Sequence, residues 1–327
     1  MLNLKNFTQK LEHAQNIVIT THIYPDADGL GSQIALFEAL KSLGKNCYAV
    51  NEEGLPSRFT YLDPDQSVEH YSHFKKNRPT QIDLLIVVDT HELSMTGLVK
   101  EVASQANEIL FIDHHPDGKY LSKDHCMDSS YSATGEIIAE IIESLTIPFT
   151  RSMGFALYTA ILIDTSSFRY PNVTSRTHYY LAKFLETGFK PYEAYALAYG
   201  TKKISYLHLL GSILSSAQIS ENGKIAWLVI DSKNLQSYDS KLEDTYSIIN
   251  HLLILEEIQI GCMFRIDEGN IKMSLRSKGT LDVGIIAQKF GGGGHLHSAA
   301  ARIPSNQVDP HKQITEIVKN IQNLLID

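Results

Sequence analysis

The stretch NIVITTHIYPDADGLGS, residues 16–32, decides the fold. Asn16–Thr21 (NIVITT) is a short apolar, β-branched run, the composition of a buried strand. From Gly29 to Leu43 the apolar residues return at helical spacing. Between the two, His22, Asp26 and Asp28 crowd into a turn introduced by Pro25. Gly29, Gly31 and Ser32 then open the helix, whose N-terminus favours anions. A single Asp here would be an ordinary turn or N-cap residue. A His and two Asp in one tight loop behind a buried strand point instead to a shared ligand.

The same grammar continues downstream. Lys45–Val50 reads as a strand, as do Asp83–Val88 (DLLIVV), which ends at Asp89, and Ile109–Ile112 (ILFI), which ends at Asp113-His114-His115. Ser132–Leu145, Gly154–Ile163 and Ser175–Leu185 read as helices; the second runs into Asp164 and the third is closed by Gly188. Continuous apolar runs alternating with helices predict a parallel sheet covered on both faces. In such sheets the ligand crevice lies beyond the carboxyl ends of the strands, where His22, Asp89 and Asp113–His115 stand.

Around residues 188–199 the pattern loosens, which places a catalytic domain at 1–188, a linker at 189–203 and a second domain at 204–327. In the second domain Ile225–Ile230, Glu257–Phe264, Ile271–Leu275 and Ala299–Ile303 read as strands. Ile204–Ser215, Asp244–Leu253, Val283–Phe290 and Asp309–Leu325 read as helices. The expected fold class is therefore α/β, a parallel-sheet domain plus a smaller α/β domain, with the active site in the cleft between them.

Composition narrows the function. At 327 residues, with 43% hydrophobic and 20% charged residues, the chain is an ordinary two-domain globular protein. Its three cysteines, Cys47, Cys126 and Cys262, form no CxxC, which argues against a disulfide framework or thiolate zinc and suits a reducing cytoplasm. The N-terminus has no signal-peptide core, and no apolar run approaches the roughly 20 residues that span a bilayer. The net charge of −8 is unevenly spread: residues 1–200 carry 16 Lys+Arg against 24 Asp+Glu, residues 201–327 carry 13 of each. Two divalent cations would offset much of that excess. Acidic surface makes long duplex DNA an unsuitable partner; a short anionic substrate gripped locally remains compatible.

Acidic surfaces also serve solubility, and Asp89 or Asp164 alone would be unremarkable at the end of a strand or helix. Asp113-His114-His115 says more. Two adjacent histidines at a strand end are expected to point apart, one toward a metal and one toward a phosphate, with Asp113 orienting an imidazole. Oxygen and imidazole donors without thiolate favour Mn²⁺- or Mg²⁺-like ions. The run Gly291–Gly294 before His295 lacks the Gly-Lys-Ser/Thr of a Walker loop, yet its glycines permit close backbone approach to a ligand. Arg276, Ser277 and Lys278, just after a strand, supply donors for a terminal phosphate. His70, His73 and His125 read as solvated surface.

These motifs, in this order, resemble the DHH/DHHA1 phosphoesterase family over nearly the whole chain, and within it the short bacterial oligoribonuclease/pAp phosphatase members known as nano-RNases. The resemblance implies one Mn²⁺ on His22, Asp26 and Asp89, and a second on Asp28, Asp89, His114 and Asp164, with Asp89 bridging. It implies His115 at the scissile phosphate, and Arg276, Ser277, Lys278, Gly293, Gly294 and His295 at the far end of the substrate. One departure is visible: the family usually has a glycine in the small-residue run after GGGH, where this chain reads Ser298-Ala299-Ala300-Ala301.

The expectation is a cytoplasmic, Mn²⁺-dependent phosphodiesterase that degrades short single-stranded RNA and linear dinucleotides to mononucleotides, with no membrane partner and a possible homodimer. Rivals are a 3′,5′-adenosine bisphosphate phosphatase, a cyclic di-AMP phosphodiesterase, a pyrophosphatase and a catalytically silent nucleotide-binding module.

Overall fold

A computed structural model describes residues 4–115, 125–231, 248–267, 269–305 and 309–325, together with Leu235, Tyr238 and Thr245. The chain divides into two compact units, Met1–Thr201 and Lys202–Asp327.

The first unit begins with helix α1 (Leu4–His13), strand β1 (Asn16–Thr20), helix α2 (Ala27–Ser42) and strand β2 (Asn46–Asn51). Strand β3 (Val68–His70), helix α3 (Tyr71–Asn77), β4 (Ile82–Val88), β5 (Ala106–Asp113) and β6 (Cys126–Met127) follow, then helices α4 (Thr134–Ser144), α5 (Arg151–Asp164), α6 (Ser175–Glu186) and α7 (Pro191–Tyr199). The six strands lie in the order β3-β2-β1-β4-β5-β6, and every pairing is parallel. Strand order reverses between β1 and β4, the place where open parallel sheets bind ligands. The apolar runs earn this position: Leu84 to Val88 are each at most 1% exposed, covered on both faces.

Helix α2 has no polar face because it is buried all round and packs on α5. Gly31 is required at that contact, since a Cβ there would stand 2.5 Å from the carbonyl oxygen of Ala156. Residues expected to form a linker instead hold α7, whose Ala194 is buried. The stretch from Leu93 to Ser104 is a 3₁₀ segment kinked at Gly97.

The second unit holds helix α8 (Ile204–Ser215), β7 (Gln218–Ile219), β8 (Ile225–Ile230), β9 (Ile260–Asp267), β10 (Asn270–Ser277), helix α9 (Val283–Gln288), β11 (Gly293–His295), β12 (Ser298–Pro304) and helix α10 (Pro310–Asn323). Its sheet runs β11-β12-β10-β9-β8-β7, antiparallel except for β8 with β9. One face packs Ile271, Met273 and Leu275 against α9 and α10. In the helix expected at Asp244–Leu253, residues from Ile248 form a 3₁₀ turn that runs to Ile254; residues 244, 246 and 247 lie outside the described residues.

Candidate active site

The carboxyl ends of β1, β4 and β5 and the end of α5 deliver one cluster of imidazoles and carboxylates. After β1, Asp26 caps α2, its Oδ1 accepting from the backbone N–H groups of Asp28 (2.9 Å) and Gly29 (3.1 Å). The cap role and the ligand role therefore coincide on one side chain. Capping fixes the turn, which leaves His22 Nε2 4.0 Å from Asp26 Oδ1 and 3.5 Å from Asp89 Oδ2.

Asp89 follows β4 with φ +61°, a left-handed conformation that Asp and Asn tolerate better than other side chains. Its amide still donates to Ile112 O at 2.9 Å, so the sheet ends here while the carboxylate is turned inward. Thr134 Oγ1 donates to Asp89 Oδ1 at 2.9 Å. Asp28, in the first turn of α2, is almost fully buried. Each of its oxygens accepts a backbone N–H from the start of α4, from Thr134 (2.8 Å) and from Gly135 (2.8 Å). A carboxylate on a helix N-terminus is favourably placed and keeps lone pairs for a further partner.

The two histidine rings lie side by side, their centroids 4.6 Å apart, and their nitrogens approach different carboxylates. His114 donates through Nδ1 toward Tyr131 O at 3.4 Å, leaving the Nε2 lone pair 3.4 Å from Asp164 Oδ2 and 3.8 Å from Asp28 Oδ2. That buried Nε2 has no hydrogen-bond partner among the described residues, and burial lowers the pKa of His114. His115 donates through Nδ1 to Asp113 Oδ1 at 2.6 Å, and its ring lies 3.9 Å from Asp89 Oδ1. The other oxygen of fully buried Asp113 accepts from His91 Nδ1 at 2.8 Å.

Electrostatics divide the cluster in two. Burial, then mutual repulsion with Asp28 and Asp26, raises Asp89 well above an ordinary carboxyl, and the same causes raise Asp164. Asp28 is raised chiefly by burial, although His114 and the α4 amides oppose it. Asp113 goes the other way: burial would raise it, but His115 and His91 hold it down to about 2. Burial would likewise lower His115, yet Asp113 lifts it to about 9. Asp113 and His115 are thus a satisfied ion pair, whereas Asp28, Asp89 and Asp164 are crowded carboxylates short of positive charge.

Among the described residues three donor sets result, each with ligand atoms within 4.8 Å of one another: His22, Asp26 and Asp89; Asp28, His114 and Asp164; and Asp89, His114 and His115. Asp89 belongs to two of them. Oxygen and imidazole donors, an orphaned imidazole nitrogen and carboxylates strained by like charge fit divalent cations. All of the residues expected to ligate metal meet here. His91, Thr134 and Gly135 also belong to the site and were missed. His91 stands two residues after Asp89, and the small-residue turn Ser132–Gly135 precedes an apolar helix; those were the only local signs.

The residues expected at the far end of a substrate lie in the second unit. Arg276 is on the outward row of β10, with Nη1 donating to Leu275 O at 2.9 Å. Ser277 points the opposite way and is 7% exposed. Its hydroxyl lies 2.6 Å from Leu281 O, 3.1 Å from Leu296 O and 3.1 Å from His297 Nδ1. These contacts tie Ser277 to the loop that carries Leu281, Leu296 and His297. Lys278 Nζ donates to Leu255 O at 2.5 Å. Gly293 and Gly294 form β11, and the imidazole of His295 lies outside the described part of the structure. His125, expected on solvated surface, packs edge-on against Phe111 with centroids 5.0 Å apart.

Residues 16–161 match the N-terminal domain of the DHH family, and residues 236–327 match the DHHA1 domain. The chain is 28% identical, over 93% of its length and 89% of the relative's, to the bifunctional oligoribonuclease and PAP phosphatase NrnA of Thermus thermophilus. A crystal structure of an exopolyphosphatase-related protein from Bacteroides fragilis superposes with a TM-score of 0.90 at 22% identity, covering 99% of this chain and 97% of that one. Exonuclease RecJ bound to manganese superposes with a TM-score of 0.50 at 13% identity, covering 93% and 91%. At these identities the two structures establish the fold alone.

Proposed function

Because the chain belongs to the DHH family and carries a DHHA1 domain, we propose that it is a divalent-metal phosphodiesterase that releases mononucleotides from short oligoribonucleotides and linear dinucleotides. The observation that carries this reading is Asp89, which joins His22 and Asp26 in one donor set and reaches His114 in another, at the switch point of a parallel sheet. His22, Asp26 and Asp89 would hold one cation, and Asp28, Asp89, His114 and Asp164 the second. Manganese suits this set of imidazole and carboxylate donors better than a thiolate-seeking metal. Bound there, such a pair supplies a lowered pKa for water and neutralises charge on phosphoryl oxygens.

The protein's own groups do the rest. Thr134 and the α4 amides aim Asp89 and Asp28. His115, kept protonated by Asp113, presents a cationic donor to a phosphate oxygen. Asp113 acts through that imidazole and touches no substrate. Arg276, Lys278 and the open backbone at Gly293 and Gly294 are assigned to the distal part of the substrate, and His295 with them on the strength of its motif. The name of the Thermus relative supports a second substrate, 3′,5′-adenosine bisphosphate, for the same site.

The test is a Mn²⁺-dependent time course on 5′-labelled RNA from two to ten nucleotides, with the bisphosphate, linear and cyclic di-AMP and pyrophosphate in parallel. Fast turnover of the shortest diesters, lost by about three orders of magnitude in Asp89→Ala, is the expected result. Survival of every diester while pyrophosphate is consumed would remove the exonuclease reading.

A further inference from the structure

The turn Ser130–Gly135 meets three of the residues assigned to metal. Tyr131 O accepts from His114 Nδ1 at 3.4 Å, and Thr134 Oγ1 donates to Asp89 Oδ1 at 2.9 Å. The Thr134 and Gly135 amides each donate to one oxygen of Asp28 at 2.8 Å. Glycine at 135 permits this approach: a Cβ there would stand 2.9 Å from Ala160 Cβ and 3.3 Å from Asp28 Oδ1. The contacts fall unevenly on the two cation sites. Asp28 and His114 both belong to the donor set completed by Asp164, whereas in the set of His22, Asp26 and Asp89 the turn's hydrogen bond goes to Asp89. Asp26 is held by the amides of its own helix, α2.

Behind the turn stands a carboxylate that the metal donor sets do not include. Glu136, in the first turn of α4, is fully buried. Its Oε2 accepts from Ser132 N at 2.9 Å, Ser132 Oγ at 2.5 Å and Thr177 Oγ1 at 3.1 Å, and its Oε1 accepts from Arg176 Nε at 2.7 Å. Arg176, half-buried on α6, also donates through Nη2 to Ser130 O at 3.0 Å. Its guanidinium lies over the Tyr131 ring, 3.5 Å from the centroid. Ser130, Tyr131 and Ser132 are thus gripped in succession by one ion pair that joins α4 to α6. Burying such a pair costs about as much as its attraction returns. Its consequence lies in the turn conformation that satisfies every one of these donors.

We propose that Glu136 and Arg176 are positioning residues for the donor set Asp28, His114 and Asp164, acting through Tyr131, Thr134 and Gly135. The two cation sites then depend on different parts of the chain. The site at His22 and Asp26 is set by the turn that opens α2, and its neighbour by the lock between α4 and α6. Loosening the lock weakens one site ahead of the other, because two donors of one set hang on the turn. The inference rests on the two-cation reading above and deepens it.

The test uses Glu136→Gln, Arg176→Ala and Arg176→Lys in the full chain. Glu136→Gln keeps the side chain's shape, and Arg176→Lys keeps the charge without the fork that reaches Glu136 and Ser130 together. Mn²⁺ binding is measured by isothermal titration calorimetry and by electron paramagnetic resonance, with metal-free melting temperatures alongside. The wild type should take up two Mn²⁺ and show the broadened signal of an exchange-coupled pair. In Glu136→Gln and Arg176→Ala one of the two ions should bind about 10- to 100-fold more weakly while the other keeps its affinity. The signal should then become that of an isolated Mn²⁺. Arg176→Lys should recover part of the loss. Should Glu136→Gln fail to fold, Arg176→Ala, at a half-buried position, carries the test. Equal weakening of both sites, or a lower melting temperature with both affinities intact, would overturn the proposal. Two ions bound at wild-type affinity in every variant would remove this inference alone. A wild type that binds one Mn²⁺ or none would remove the two-cation reading and the inference with it.

Discussion

Asp113 is the residue on which the site's polarity turns. Fully buried, it holds His115 on one oxygen and His91 on the other, at 2.6 and 2.8 Å. One acid thereby converts an imidazole that burial would leave neutral into a cation at the mouth of a carboxylate cluster. His91 touches none of the reacting groups in this account and acts by locking Asp113. Substituting His91→Ala should lower turnover about 10- to 100-fold, the usual cost of losing such an orienting partner. His91→Gln, which can still donate to Asp113, should recover part of the loss, and the KM for short RNA should move little. Full activity in His91→Ala would mean that Asp113 needs no second partner.

At the scale of elements, β11 and β12 show how small residues substitute for pocket design. A Cβ on Gly294, whose φ is +146°, would stand 2.4 Å from Ala299 Cα and 2.5 Å from Ser298 O. One on Gly292 would stand 2.1 Å from Ala300 O. These glycines exist for the approach of β12, and the alanines at 299–301 are the matching partners. Gly293, by contrast, faces open space. Gly294→Ala should therefore destabilise the second unit by about 2 kcal/mol or more, while Gly293→Ala should stay within about 1 kcal/mol, as read by urea denaturation. Equal effects would contradict the packing account.

The same scale explains what could be read from the chain beforehand. His22, Asp89, Asp113–His115 and Asp164 were legible because each follows or ends an apolar run, a local signal. The support for Asp28 was not, since its donors Thr134 and Gly135 lie 106 and 107 residues away. Strands Val68–His70 and Cys126–Met127 are too short to show a period. Helix α7 buries only Ala194, so no apolar stripe marked it out from a linker. The inward turn of Ser277 follows from strand alternation, which its cationic neighbours in sequence did not reveal.

For the whole molecule, the uneven acidity becomes a statement about pH. Asp28, Asp89 and Asp164 have folded pKa values raised above the ordinary 3.8. Their contribution is most favourable when they are protonated and is lost as pH rises through those raised values. His115, raised from 6.5 to about 9, adds stability that is complete below 6.5 and lost as pH approaches 9. Asp113, lowered to about 2, contributes above 3.8 and is constant over this range. His114, lowered by burial, opposes the trend: its contribution grows as pH rises toward 6.5 and is constant above it. Without cations the fold should thus weaken from pH 5 to pH 8, and cations, which bind deprotonated ligands, should restore it most at the higher pH. No helix among the described residues is long and apolar enough to cross a membrane.

The measurement that bears most directly on a cation site shared at Asp89 is thermal unfolding of the wild type and Asp89→Asn at pH 5 and pH 8, with and without saturating Mn²⁺. The account predicts a rise of about 5 °C or more for the wild type in Mn²⁺ at pH 8, a smaller one at pH 5, and little in Asp89→Asn, whose metal-free form should melt no lower than the wild type. A wild type indifferent to Mn²⁺ at pH 8, or an Asp89→Asn variant stabilised as much as the wild type, would contradict it.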